Sequence, residues 1–110
     1  MVSDRERYEQ VLHAWAVATP CVRKVSIFGS RAKGTPRSDS DLDVAVEIDP
    51  VGSDESAYVS WFHLKKSWHA ELQRRLDVPL DLEWFDPTGS TPTIAKGLSE
   101  ANVVVYERAS

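Results

Sequence analysis

The sequence predicts a small α/β (α+β) fold, a mixed β-sheet flanked by helices on one or both faces. The first reason is order: runs of β-forming residues alternate with segments of helical periodicity as α-β-α-β-α-β-α-β along the chain. The second is one segment, Asp41 to Ile48, that alternates acidic or small residues with apolar ones and so reads as a strand with two unlike faces. The third is composition: 42% hydrophobic and 27% charged residues in a chain of 110 suit one globular core, and residues 1–110 are read as a single domain.

The elements follow in turn. Ser3 and Glu6 form a capping-box pattern, and Tyr8, Val11, Leu12 and Trp15 recur at helical spacing, so a helix is expected over 4–18, stopped before Pro20. Val22 to Phe28 is rich in β-formers and reads as a strand closed by Gly29-Ser30. Arg31 to Lys33 fit one helical turn before Gly34, and 34–40 is a loop by composition. In the strand 41–48, Leu42, Val44, Val46 and Ile48 point one way and Asp41, Asp43, Ala45 and Glu47 the other. After a turn at 49–52, Ser53 is expected to cap a long helix over about 54–76, with Asp54 and Glu55 at the positive end of its dipole. Trp61, Leu64, Trp68, Leu72 and Leu76 form its apolar side, with Tyr58 and Phe62 nearby, and Pro79 breaks the pattern. Leu80 to Phe85 is a strand with Asp81 and Glu83 on one face; a turn at 86–89, a short helix over 92–99 and a strand over 103–106 complete the chain.

Bulk properties narrow the function. A net charge of −4 lacks the basic excess of a protein built to hold a nucleic-acid backbone, so direct binding of DNA or RNA is not expected. No window approaches the roughly 18 apolar residues of a membrane span. The charged N-terminus lacks the apolar core of a signal peptide. One cysteine, Cys21, cannot form an intramolecular disulfide; it is expected to be a structural thiol in a reducing, cytoplasmic setting. His13, His63 and His69 lack companions at zinc-ligand spacing and read as helix-face residues. Trp15, Trp61 and Trp68 read as core or interface, and Trp84 and Phe85 as sheet packing, with stacking of one of them on a base as the alternative.

One constellation carries chemistry. A strand ends in Gly29-Ser30; ten residues later come Asp41 and Asp43 on a second strand, and Asp81 lies on a third. Gly29 permits a sharp turn and a close backbone approach. The amides that open the following turn, with the Ser30 hydroxyl, can receive phosphate oxygens. Arg31 and Lys33 could reach the β- or γ-phosphate. Two carboxylates side by side repel unless a cation or a proton intervenes. Magnesium suits such a site, since it binds through one or two carboxylates together with substrate phosphates. Glu83 shares the face of Asp81 and is the alternative third acid.

The run GSRAKGTPRSDSDLDVAVEI resembles the signature of the polymerase-β-type nucleotidyltransferases, and in particular the minimal nucleotidyltransferase branch. The similarity extends over the PLDLEW strand and the closing IAKGLSEANVVVYE segment, and so over nearly the whole chain. Lys33 stands where the family often has arginine. The resemblance implies a polymerase-β-like fold. It implies that Gly29 and Ser30 hold the triphosphate of ATP, and that Asp41, Asp43 and Asp81 are the catalytic carboxylates and ligands of magnesium. It also implies a role like that of the MntA-type antitoxins in two-gene toxin–antitoxin modules. The partner there is a small all-helical protein of the HEPN type, and transfer of AMP to one of its hydroxyls would silence it. Two alternatives remain from the sequence: an antitoxin that masks its partner without catalysis, and a transferase acting on a small molecule, as in the aminoglycoside-modifying relatives. Homo- and hetero-oligomers are both open.

Overall fold

The computed structural model of the chain describes residues 3–37 and 39–109. Met1, Val2 and Ser110 lie outside the described residues, as does Ser38 of the loop expected over 34–40. The elements are α1 (Asp4–Val17), β1 (Val22–Phe28), α2 (Ser30–Lys33), β2 (Leu42–Ile48), α3 (Ala57–Gln73), β3 (Leu80–Trp84), α4 (Pro92–Glu100) and β4 (Asn102–Glu107).

The strands form one mixed sheet in the order β3-β2-β1-β4. β1 runs antiparallel to both β2 and β4, whereas β2 and β3 are parallel. The parallel step needs a crossover, and α3 supplies it. The alternation of β2 decides how the sheet is used. Leu42, Val44, Val46 and Ile48 are buried together with Val25 and Ile27 of β1, Tyr8, Leu12 and Trp15 of α1, and Trp61, Trp68 and Leu72 of α3. Trp15, Trp68 and Trp61 meet at centroid separations of 5.4 and 6.0 Å, so three of the four tryptophans form the centre of this core. The opposite face of β2 and β3 carries Asp43, Glu47, Asp81 and Glu83. α4 lies on that side: its Gly97 sits against Phe28, whose ring a Cβ at Gly97 would approach to 2.9 Å.

Helix boundaries depart from expectation for local reasons. Ser3 caps α1 as expected, its hydroxyl accepting from the Glu6 amide at 3.1 Å. α3 begins later than expected, and its cap is Ser56, not Ser53: the Ser56 hydroxyl accepts from the Val59 amide at 3.3 Å. Asp54 is occupied elsewhere, accepting from the Ser60 hydroxyl at 2.6 Å, while Ser60 Oγ accepts from the Val51 amide at 2.8 Å. That small network holds 51–56 out of the helix. At the other end α3 stops at Gln73, whose amide group bridges the Val78 carbonyl and the Leu80 N–H at 2.8 Å each. Tyr58 and Phe62 turn outward, 55% and 59% exposed, and do not join the apolar side of α3.

Both edges of the sheet meet a histidine. His69 of α3 stands 2.8 Å from the Leu80 carbonyl on β3, and His13 of α1 stands 2.9 Å from the Val105 carbonyl on β4. Each ring donates an N–H to an edge acceptor, which accounts for two of the three histidines structurally.

Candidate functional site

The site lies at one end of β1, β2 and β3, on the face away from the core. Pairing brings its parts together. Phe28 of β1 is opposite Asp43 of β2, and Asp43 is in register with Asp81 of β3. Gly29 follows Phe28 directly and turns the chain into α2 with φ +73°. A Cβ at this position would collide with the Asp43 carboxylate. Gly29 therefore does two things: it adopts a backbone shape that side chains resist, and it leaves room for a carboxylate. The amides of Ser30 and Arg31 open α2, where intrahelical acceptors are lacking.

Asp43 and Asp81 stand side by side across β2 and β3, and Glu83 joins them two residues along β3. Burial, then the charge of Asp81, a hydrogen bond with Asp81, and the charge of Asp41 push the Asp43 carboxyl up to about 6. Burial, a hydrogen bond with Asp81, and the charges of Asp81 and Asp43 push Glu83 up to about 7, against the pull of Lys65. Asp81 thus stands between the two groups and raises both. Among the described residues, no three acidic, histidine or cysteine side chains converge on one point as they stand. Paired, proton-sharing carboxylates explain this: like charges at short range hold a proton between them until a cation replaces it. The donor set is all carboxylate oxygen, is crowded, and holds protons near neutrality, and so fits a hard divalent cation.

The remaining expected residues fall as follows. Asp41 is exposed, one residue before β2 begins at Leu42, and touches the cluster only through its charge on Asp43. Ser30 is partly buried at the start of α2. Lys33 pairs with Glu100 at the end of α4, at 3.4 Å. Arg31, expected at the phosphates, is only 8% exposed and donates from Nε and Nη2 to the Ser40 carbonyl at 3.3 and 2.8 Å. Trp84 packs edge-on against Tyr58, with centroids 5.6 Å apart. Cys21 is partly buried, and burial pushes its thiol up.

Sequence reasoning missed the far wall of the site. A cleft of about 490 Å³ opens beside Asp81 and Glu83, closed by Phe28 and by Ser90, Thr91, Thr93 and Ile94. Asp86 folds this wall: its carboxylate accepts from the amide and hydroxyl of Thr88 at 2.9 and 2.7 Å and from the amide and hydroxyl of Ser90 at 3.3 and 2.5 Å. These bonds hold the Asp86 carboxyl down at about 2. The D-x-T-x-S spacing is the available signal, because an aspartate that gathers donors two and four residues on is a turn builder.

A family profile described as "Polymerase beta, Nucleotidyltransferase" matches residues 11–110. No curated protein matches the chain. Among solved structures, a toxin–antitoxin with AMP-PNP contains a chain that is 18% identical with a TM-score of 0.58, over 91% of this chain and 73% of that one. A tri-AMPylated Shewanella oneidensis HEPN toxin in complex with MNT antitoxin gives 14% identity and a TM-score of 0.58, over 96% of this chain and 74% of that one. At these identities the likeness shows the fold. No helix among the described residues is long and apolar enough to cross a membrane.

Proposed function

This chain belongs to the polymerase beta nucleotidyltransferase family, and we propose from that membership that it transfers AMP from ATP to a hydroxyl of a HEPN-type partner protein, as the antitoxin of a two-protein module. The observation that carries the reading is the packing of Gly29 against Asp43 with Asp43 in register beside Asp81. A solvated acidic surface has no need of a glycine that admits a carboxylate, nor of two carboxylates aligned on adjacent strands. The structural neighbours support the acceptor: one is a toxin–antitoxin with AMP-PNP, another a HEPN toxin already AMPylated in complex with an MNT antitoxin.

The roles follow from position. Ser30 and the first amides of α2 receive the phosphates, as helix N-termini receive anions. Asp41, Asp43 and Asp81 would hold magnesium, with Glu83 against Asp81. Magnesium, when bound there, would neutralise charge on the triphosphate and ease loss of the acceptor's proton. The acceptor hydroxyl oxygen bonds to the α-phosphorus, the bond to the bridging oxygen of the β-phosphate breaks, and pyrophosphate leaves. The hydroxyl proton passes to the ionised Asp81 carboxylate, which stands in register with Asp43 on the adjacent strand. The cleft of about 490 Å³ beside Asp81 and Glu83 gives one substrate access to them.

Intact-mass spectrometry of a co-expressed helical partner, with ATP and magnesium, tests the proposal. Wild type should add one or more AMP units, and Asp41→Ala/Asp43→Ala should add none. A partner left unmodified by wild type in a stable complex would show neutralisation by contact alone.

A further inference from the structure

We propose that Arg31 is a positioning residue for Asp41, acting through the Ser40 carbonyl, and not a ligand of the nucleotide's phosphates; this rests on Asp41 being a metal ligand, as above. Asp41 lies between two backbone anchors. On its N-terminal side, Ser40 gives its carbonyl to two N–H groups of Arg31, at 3.3 and 2.8 Å. The same residue is tied to Arg37 by its amide at 3.0 Å and its hydroxyl at 2.8 Å. On the C-terminal side, the Leu42 amide donates to the Pro79 carbonyl at 2.8 Å. With the backbone fixed at 40 and at 42, what remains free at Asp41 is rotation of its side chain. That rotation is what would carry its carboxylate from solvent to the side of Asp43.

Arg31 is itself held from behind. Its guanidinium lies 5.5 Å from the centre of the Tyr8 ring, and Arg7 lies 4.9 Å from the same ring. A cation over an aromatic face is attracted to it, the more so when little water reaches the site. The Tyr8 hydroxyl donates to Asp77 at 2.8 Å, and Arg7 reaches the other oxygen of that carboxylate at 3.1 Å. Asp77 and Pro79 belong to one short connection, which therefore anchors Tyr8 behind Arg31 and Leu42 beyond Asp41. A phosphate ligand would have to release the Ser40 carbonyl and the Tyr8 face, leaving a partly buried acceptor without its donors.

The test uses manganese(II) as a paramagnetic stand-in for magnesium, its binding read by electron paramagnetic resonance. Binding of a non-hydrolysable ATP analogue is measured separately in chelator. Asp41→Asn should weaken manganese binding. Arg31→Met keeps the packing on Tyr8 and removes the donors; it should weaken manganese binding about tenfold, the worth of a charged hydrogen bond. It should leave metal-free analogue binding unchanged, and Arg31→Lys should recover part of the manganese affinity. If Arg31→Met does not fold, Tyr8→Phe replaces it, removing only the bond to Asp77, and should weaken manganese binding severalfold. Weakened metal-free analogue binding with unchanged manganese affinity, in either variant, would overturn the assignment in favour of phosphate contact. Unchanged manganese affinity in Asp41→Asn would overturn it too. Absence of manganese binding by wild type would remove the functional reading itself, a result distinct from the others.

Discussion

Asp43 offers the sharpest test of the carboxylate cluster. Its carboxyl is raised from an ordinary 3.8 to about 6, first by burial and then by Asp81. A raised value means that the folded protein prefers the protonated group. The stability it contributes is full below about pH 4 and is lost as the pH rises through about 6. At about 1.4 kcal/mol for each tenfold change in proton affinity, the unscreened penalty at pH 8 is about 3 kcal/mol. The group is only partly buried, and screening by the solvent it still meets reduces the figure to about 1 kcal/mol. Asparagine has the same shape without the charge. In metal-free protein at pH 8, Asp43→Asn should therefore be more stable than wild type by about 1 kcal/mol, roughly 4–8 °C in Tm for a domain of this size. At pH 4.5 the gain should be largely lost. Thermal unfolding followed by circular dichroism in chelator, across pH 4.5–8, measures both. Magnesium with ATP should reverse the order, raising the Tm of wild type and leaving the variant where it was. A variant that is less stable at pH 8, or equally stabilised at both ends of the range, would refute the claim that the ionised Asp43 carboxylate is penalised at this site.

Gly29→Ala should cost about 1–3 kcal/mol, because φ +73° disfavours a side chain and the new methyl group meets the Asp43 carboxylate; thermal unfolding reads the loss, and a titration with ATP and magnesium should show binding lost as well. Ser56→Ala should destabilise the protein by about 1 kcal/mol, whereas Ser53→Ala should change it by less than about 0.5, since the Val59 amide is capped by Ser56; urea unfolding of the two variants side by side settles where α3 begins. Asp86→Asn loses acceptor strength toward Thr88 and Ser90, and because the folded-state value is held down at about 2, the stability it contributes is present above about pH 4 and fades as the pH falls toward 2; unfolding of wild type and variant should accordingly differ at pH 7 and converge near pH 2.

What could be read from the sequence was what local pattern controls. The strict alternation from Leu42 to Ile48 announced both a strand and its two faces, and the glycine-serine step after Phe28 announced the turn. The resemblance to the nucleotidyltransferases rested on that same stretch. Pairing was not legible. That Phe28 meets Asp43, and that β3 runs parallel to β2 so that Asp81 comes abreast of Asp43, depends on contacts between segments distant in the chain. Arg31 shows the same limit: its charge suggested a phosphate, and its contact with the Tyr8 ring could not be read, since Tyr8 lies 23 positions earlier in the sequence and belongs to another element. Helix ends were misjudged where a side chain left the pattern to serve a neighbouring turn, as Asp54 does for Ser60 and Gln73 for Leu80. The turn at Asp86 was legible, but not its place as a wall of the cleft, which depends on where it packs beside Asp81 and Glu83.

The two histidines at the margins of the sheet bear on how the protein behaves in a crowd. An open sheet ends in strands whose outward backbone groups can template another chain, and such margins are where fibres and unintended dimers start. Here the Leu80 carbonyl is engaged by His69 and its amide by Gln73, while the Val105 carbonyl is engaged by His13. A foreign strand arriving at either margin would have to displace an imidazole before its ladder could form, and at β3 it would meet α3 as well. Residues on two helices of the core layer thus stand at both margins of the sheet, where an added strand would have to pair.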